Sequence, residues 1–578
     1  MRYIKTIILI AFLCFFSNVK AQLSTNEKPV SFDSKMELTI ISKSALPVVT
    51  MPRLNMSEIE KEDKEDEEYD MPPRFGYSHI VDYNLDNSGV WYELPNGDKL
   101  WQLNVICPGA MSVNFCYNKF WLPEGGKFFV YSKDKKHSIG AFTSRNNKGS
   151  KDNIRGFATG LVYGSDVVLE YYHPKGVTAE AIISIEYIVH GYRYINVADS
   201  VYGGFGQSGP CMVNVNCSEG QNWQNEKKAV AMIVVEGNRC CTGSLINTTD
   251  LEQKPYLLTA DHCLGPDAHQ QGNFFYDAES SPNLDSYTFY WNYETPGCDN
   301  VNIEPGYFST SGATVIANYM YSDFALLRLS EDPKDISGYT PYYLGWDRSG
   351  QPGSPGVCIH HPKGDVKKIS TVLSTPTSSS WYESWGLNSH WEVGWKTTSH
   401  GHGMTQPGSS GSPLLNAMHR VIGQLHGSNS DDCNNHSATS FYGKLSTSWI
   451  DQTNSNSIYR RLNCWLDSLN TGQTTMEGLL IIPTTQTMNS SQQLRSNIRI
   501  TSNGQLTIQS NVSFNGNCRI IVESGGQLIV NAGTLSNVDV LLKPGSYLQI
   551  LNGGIIYTHS GFKAQEGAIV DIQYGQIL

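Results

Sequence analysis

Three serines lie close together in TQPGSSGSPLLN, Thr405 to Asn416, between glycines and just ahead of a hydrophobic pair. A serine hydroxyl keeps its proton near neutral pH, so it becomes a nucleophile only beside a base. YLLTADHC, Tyr256 to Cys263, offers a histidine, His262, at the end of an apolar run. YSDFALLRL, Tyr321 to Leu329, offers a carboxylate, Asp323, at the head of a strand whose hydrophobic residues can bury it. A carboxylate so placed holds an imidazole in one tautomer and stabilises its protonated form. The order His262, Asp323, serine is one of the orders in which this constellation recurs on unrelated folds. The G-x-S-x-G elbow of another such fold is absent, because position 412 is serine.

The elements that must bring these groups together are mostly strands. At 578 residues the chain exceeds one core, and three or four domains are expected. A net charge of −12 argues against a nucleic-acid partner. MRYIK is basic, TIILIAFLCFF is apolar, and VKAQ offers a cleavage site after Ala21, so residues 1–21 read as an export signal. The apolar run is short for a transmembrane span, and no later stretch is long enough. The mature protein is therefore expected outside the cytoplasm, secreted or at the cell surface. Residues 22–74 read as a disordered linker because Ser57–Asp70 is overwhelmingly acidic and has little apolar surface to bury. Residues 75–205 alternate β-branched and aromatic runs with Gly, Asn and Asp turns, which predicts an all-β domain. Cys107 and Cys116 are near enough in sequence to bridge within it.

Residues 206–470 are again strand-rich. Near their end Ile458, Leu462, Trp465, Leu466 and Leu469 fall at helical spacing, which predicts a docked helix. Residues 471–578 carry a repeat of about twenty residues led by Gly504, Gly526, Gly545 and Gly567. A short alternating strand after each glycine turn is how a parallel β-solenoid reads. Loss of Cys14 with the signal leaves an even number of cysteines in an oxidising compartment, so disulfides are expected.

CTGSLIN, YLLTADHC, YWNYETPGC, SDFALLRL, GWDRSG, IHHPKGD, QPGSSGSPLLN and GQLHGS together resemble bacterial lysyl endopeptidases, secreted relatives of trypsin, over residues 206–452. The resemblance implies an all-β-dominated chain. A chymotrypsin-like double β-barrel would follow a β-rich pro-domain and precede the solenoid-like tail. It places the nucleophile at Ser410 and the oxyanion-hole N–H groups at Gly408 and Ser410, leaving Ser409 and Ser412 as scaffold. It implies the disulfides Cys211–Cys433, Cys217–Cys298 and Cys241–Cys263. The leftover pair Cys240 and Cys358 is then expected to bridge as well, and Cys464 with Cys518. Polypeptides are the implied substrates, with no metal or organic cofactor. His360–His361 and His400 with His402 are the alternative as metal ligands, without carboxylate or cysteine partners at convincing spacing.

The sequence departs from that family at the specificity pocket. The acid expected two residues before Tyr442–Gly443 is Ser440, and Met404 lies six residues before Ser410. A lysine ammonium buried there would lack a countercharge. The pocket, with Trp385 and His426 as its aromatic pair, is expected to take a neutral residue. Asp431 and Asp432 are the nearest acids that could fold back to serve a basic one. Ser409 replaces the aspartate of the trypsin activation switch, so activation is expected by loss of a blocking pro-segment, with a cut after Phe205. The rival readings are a non-catalytic surface or adhesion protein on the same fold, and an esterase using the same triad. The tail is a candidate for contact with the cell surface or an export machinery.

Overall fold

The computed structural model describes residues 27–33, 46–68, 71–193, 208–265, 283–300, 305–381, 388–450 and 457–578. The export signal, the cut after Phe205 and Trp385 lie outside these residues. The fold is almost all β, in three packed parts.

The N-terminal part is a sandwich of two sheets. One runs Val48–Thr50, Lys99–Ile106, Asp166–His173, Lys127–Ser132, Ser138–Phe142; the other runs Phe157–Ala158, Ser112–Trp121, Ile182–Gly191, Gly76–Asn84. Alternation decides what each strand buries. Val113, Phe115 and Tyr117 point into the core with Cys107, whereas Cys116 points to the outer face with Ala158 and Val189. The expected Cys107–Cys116 bridge is therefore not formed: Cys107, just past the strand Lys99–Ile106, faces the core between the sheets and Cys116 the outer side of the second sheet, and both are free.

The acidic run is a second correction. Met56–Glu68 is a helix, not a disordered linker. Its acids are neutralised by cations from elsewhere: Asp63 pairs with Arg74 and Arg193, and Asp66 with Arg239.

Two barrels follow. The first is closed, in the order Val230–Val235, Arg239–Leu245, Tyr256–Ala260, Phe324–Leu329, Phe308–Tyr319, Asn283–Trp291. The second curls through Lys368–Thr371, Pro355–His360, Pro413–Asn416, Arg420–Ser428, Thr439–Lys444 and His390–Gly394. It closes where Val372 bridges Trp395. Disulfides join Cys211–Cys433, Cys217–Cys298 and Cys241–Cys263. Cys240 and Cys358 are not bridged, because Cys240 packs with Phe75 and Tyr290 against the first barrel and Cys358 lies in the core of the second, its thiol on Ser412. Cys464 and Cys518 are also free; the Cys518 thiol turns to the Asn515 carbonyl. The single helix expected over 458–469 is broken into Ile458–Arg460 and Asn463–Leu466, with Arg461 extended between them. Leu462 and Leu466 are buried as anchors, while Ile458 and Leu469 are exposed.

The tail is a parallel β-solenoid. Gln505, Gln527, Tyr547 and Ile569 stack in register, and so do Leu506, Leu528, Leu548 and Val570. The glycine-led repeat in the sequence is thus one coil of the stack. Its first strand, Gly478–Ile482, pairs with Tyr342–Tyr343 of the barrel region. Leu528 is fully buried at the centre of the stack. Leu528→Ala is expected to lower stability by about 2–5 kcal/mol, read as a lower denaturant midpoint for loss of the tail's amide-exchange protection.

Candidate active site

The strand Tyr256–Ala260 ends in a short 3-10 turn, Asp261–Leu264, and this turn presents His262 at the seam of the barrels. Asp323 approaches from the next strand over, at the end of a turn whose backbone it closes in the left-handed region, at φ 51° and ψ 40°. A non-glycine residue there costs on the order of 1–3 kcal/mol. The turn lets one carboxylate accept twice from one residue. Asp323 Oδ1 accepts the His262 N–H at 3.0 Å, and Oδ2 lies 2.9 Å from His262 Nδ1. Gln424 of the second barrel donates to the carbonyls of Ser322 (2.7 Å) and Asp323 (3.2 Å), and the Asp261 N–H to that of Asp323. These bonds hold the strained turn in place.

The structure separates the three serines. Ser409 is fully buried, its hydroxyl 2.7 Å from His360 Nδ1. Ser412 is fully buried against the Cys358 thiol. Ser410 is half-buried and faces the cleft that His262 also lines. The backbone N–H groups of Gly408 and Ser410 meet no acceptor among the described residues. Gly408 has φ +92°, and at Gly411 (φ +82°) a Cβ would lie 2.3 Å from the Thr242 carbonyl. Both positions need glycine. Thr242 of the first barrel grips this loop twice: its N–H donates to the Ser410 carbonyl at 2.8 Å and its hydroxyl to the Gly408 carbonyl at 2.9 Å.

The cleft encloses about 350 Å³. His426 lies in it between two rings, Trp381 at 4.4 Å and His262 at 5.6 Å. Trp381 is an aromatic partner that sequence reasoning missed. His390 is another missed residue, 3.0 Å from His426 through Nε2. Ser440 is fully buried, bonded to Thr405 (2.7 Å) and to the Trp395 indole (3.1 Å), and Met404 is fully buried in the same core. Neither Asp431 nor Asp432 turns to Ser440. Asp431 pairs loosely with Lys363, and Asp432 caps its own turn at Asn434. Of the histidines weighed as ligands, His360 bonds Ser409 and Ser370 through its two ring nitrogens, His361 Nδ1 the Asp365 carbonyl, His400 Nδ1 Glu219 and His402 Nδ1 Thr397.

Burial pushes the Asp323 carboxyl up, but the facing imidazoles of His262 and His426 and the two His262 hydrogen bonds outweigh it and hold it below the usual range. Asp261 shows the reverse. Full burial and then the charge of Asp323 raise it to about 7, against a hydrogen bond from Asn318 and the charge of His262. Folding therefore loses stability as pH rises from the ordinary value of 3.8 towards 7, where the unfolded chain ionises and the folded one does not. The full penalty is on the order of 4 kcal/mol at about 1.4 kcal/mol per unit. Asp261→Asn is expected to melt higher than the parent at pH 8, with the gap closing by pH 4. A gap independent of pH would mean that Asp261 does not titrate in this range.

Two six-stranded barrels with a histidine, a carboxylate and a glycine-flanked serine at their seam form a chymotrypsin-like double β-barrel. Residues 205–443 match the family described as lysyl endopeptidase, C-terminal domain. A lysyl endopeptidase of Pseudomonas aeruginosa is 29% identical over 246 residues, covering 40% of this chain and 48% of the relative. The match thus spans about half the length of that curated relative. Among solved structures, Deg5 overlays with a TM-score of 0.25 at 14% identity, covering 39% of this chain and 87% of that one. A Glu endopeptidase in complex with MPD gives 0.23 at 17% identity, covering 42% and 92%. The barrel region is lysyl endopeptidase-like.

Proposed function

We propose that the chain is a secreted serine endopeptidase made as a precursor, with His262, Asp323 and Ser410 as its catalytic triad. The observation that carries the reading is the pairing of His262 Nδ1 with buried Asp323 in the cleft that the one accessible serine of the loop faces. Asp323 fixes His262 with its Nδ1 protonated, leaving Nε2 as the base. His262 takes the Ser410 proton as the oxygen attacks a peptide carbonyl. The N–H groups of Gly408 and Ser410 receive the oxyanion, a contact that strengthens only as charge develops and is worth about 3–4 kcal/mol per donor. The protonated imidazole then gives its proton to the leaving amine, and water hydrolyses the acyl-enzyme by the same route in reverse.

The residue before the cut bond is neutral and large. Ser440 and Met404, buried behind the cleft, carry no charge, and Asp431, the acid that lines the cleft beside Ser410, is already paired with Lys363, so no unpaired acid stands ready for an incoming ammonium. The N-terminal sandwich is the pro-domain, and maturation cuts after Phe205, a residue that suits this pocket.

A fluorophosphonate probe is expected to label Ser410 and to leave Ser410→Ala unlabelled. Asp323→Asn should lower kcat about 10⁴-fold with little change in fold, measured on an amide substrate beside its ester. Retained amide hydrolysis by Ser410→Ala would overturn the assignment. Mass-spectrometric mapping of cuts in a denatured protein mixture should show aromatic or large apolar residues before the bond, and a map dominated by lysine would refute the neutral pocket.

A further inference from the structure

The cleft that holds His262 and Ser410 is also lined by residues far upstream: Asp63, Met71, Pro72, Pro73, Arg74 and Arg193. The segment Met71–Phe75 runs along the free edge at the start of the strand Arg239–Leu245, antiparallel to it, with Arg74 opposite Arg239. The Cys240 N–H donates to the Pro73 carbonyl at 3.1 Å, and the Phe75 N–H to the Asn238 carbonyl at 2.8 Å. Arg239 adds a guanidinium bond to the Pro72 carbonyl at 2.8 Å. This is how an extended peptide adds to a sheet edge. The next two residues of that strand are Cys241, bridged to the neighbour of His262, and Thr242, which holds the Ser410 loop.

Resting on the protease reading above, we propose that Met71–Phe75 is a built-in inhibitor strand that lies in the substrate's place along one side of the cleft. Two features keep it there. Phe75 is buried among Met232, Tyr290, Tyr293 and Tyr307 of the first barrel. Asp63, itself almost fully buried, clamps the residue next to Phe75: it accepts from Arg74 Nε at 2.9 Å, from the Tyr192 hydroxyl at 2.9 Å and from Arg193 at 2.7 Å. A third feature keeps the strand intact. Pro72 and Pro73 present carbonyl acceptors to the edge but no N–H, and their rings fix φ, so the strand binds without flexing as a substrate must. Every clamp residue lies at or before Arg193. A cut after Phe205 therefore removes none of these contacts, and the N-terminal part stays on as a non-covalent inhibitor until the clamp opens.

The test uses the full chain carrying Asp63→Ala, with Phe75→Ser as a second variant that removes the other anchor. Three quantities are read: fluorophosphonate labelling of Ser410, hydrolysis of a denatured fluorescent protein substrate, and amide exchange at Phe75 and Cys240. The expected result is faster exchange at both amides and at least a ten-fold gain in hydrolysis, lost when Ser410→Ala is added, with labelling the same in parent and variants. The proposal is overturned if exchange rises while hydrolysis stays at the parent's rate, or if neither variant loosens the strand. In both cases labelling of Ser410 would leave the protease reading standing. Absence of labelling in every chain would instead remove that reading, and the inhibitor strand with it.

Discussion

Three consecutive residues of one strand, Cys240, Cys241 and Thr242, carry the constraint on which the site depends. Successive residues of a strand rise about 3.3 Å and face opposite ways, so one short segment can hold three different objects at fixed spacing. The Cys240 N–H holds the upstream strand at Pro73. Cys241 is bridged to Cys263, the residue after His262. Thr242 grips Gly408 and Ser410 across the barrel seam. The bridge closes a loop of about 20 residues, which is worth about 3 kcal/mol in the chain-entropy model. Its larger effect is positional, since it ties the residue beside His262 to the strand that holds the Ser410 loop.

The second constraint is electrostatic. Asp323 is fully buried, and a lone carboxylate there would neutralise rather than stay charged. Two bonds from His262 and the nearness of His426 keep it ionised. Asp261 next door has one hydrogen bond, from Asn318, and the weaker pull of His262, and is raised to about 7. Two neighbouring carboxyls thus have opposite tendencies, set by what faces each. The left-handed turn at Asp323 belongs to the same design. The strain is local, and Gln424 reaches over from the other barrel to stabilise it, so the carboxylate is placed only when both barrels are assembled.

The sequence made some of this legible and concealed the rest. His262, Asp323 and the serine loop stand out because each sits at the end or head of an apolar run, and their order is restrictive. The solenoid is readable because the glycine spacing equals one coil, so Leu506, Leu528 and Leu548 fall in one stacked column. The helix over Met56–Glu68 was hidden, since the cations that neutralise it, Arg74, Arg193 and Arg239, lie outside any local window. Cysteine pairing was hidden wherever it turns on strand phase. Cys107 and Cys116 are near in sequence, but one points inward and the other outward. The helical spacing of Ile458 and Leu469 promised a continuous face, but tertiary packing took only Leu462 and Leu466 and let the backbone extend at Arg461.

The two flanking parts join the barrels by different physics. The sandwich meets the first barrel through Phe75 and Leu161, through Cys116 and Val189 beside Gly237, and through polar pairs: Arg155 with Asp285, Asn146 with Glu331, Lys148 with Ser311. Such pairs fix register but add little net free energy, because each exchanges water for protein. The tail continues the barrels' own architecture. Gly478–Ile482 pairs strand to strand with Tyr342–Tyr343, and Met476, Leu479, Ile481 and Ile521 belong to the same apolar cluster as Trp346 and Leu445. Removing the tail would expose that cluster at about 25 cal/mol for each Å² uncovered, whereas removing the sandwich chiefly rehydrates polar groups. The part that lines the cleft thus joins the barrels largely through polar contacts that water can replace, and the tail through an apolar cluster that it shares with them.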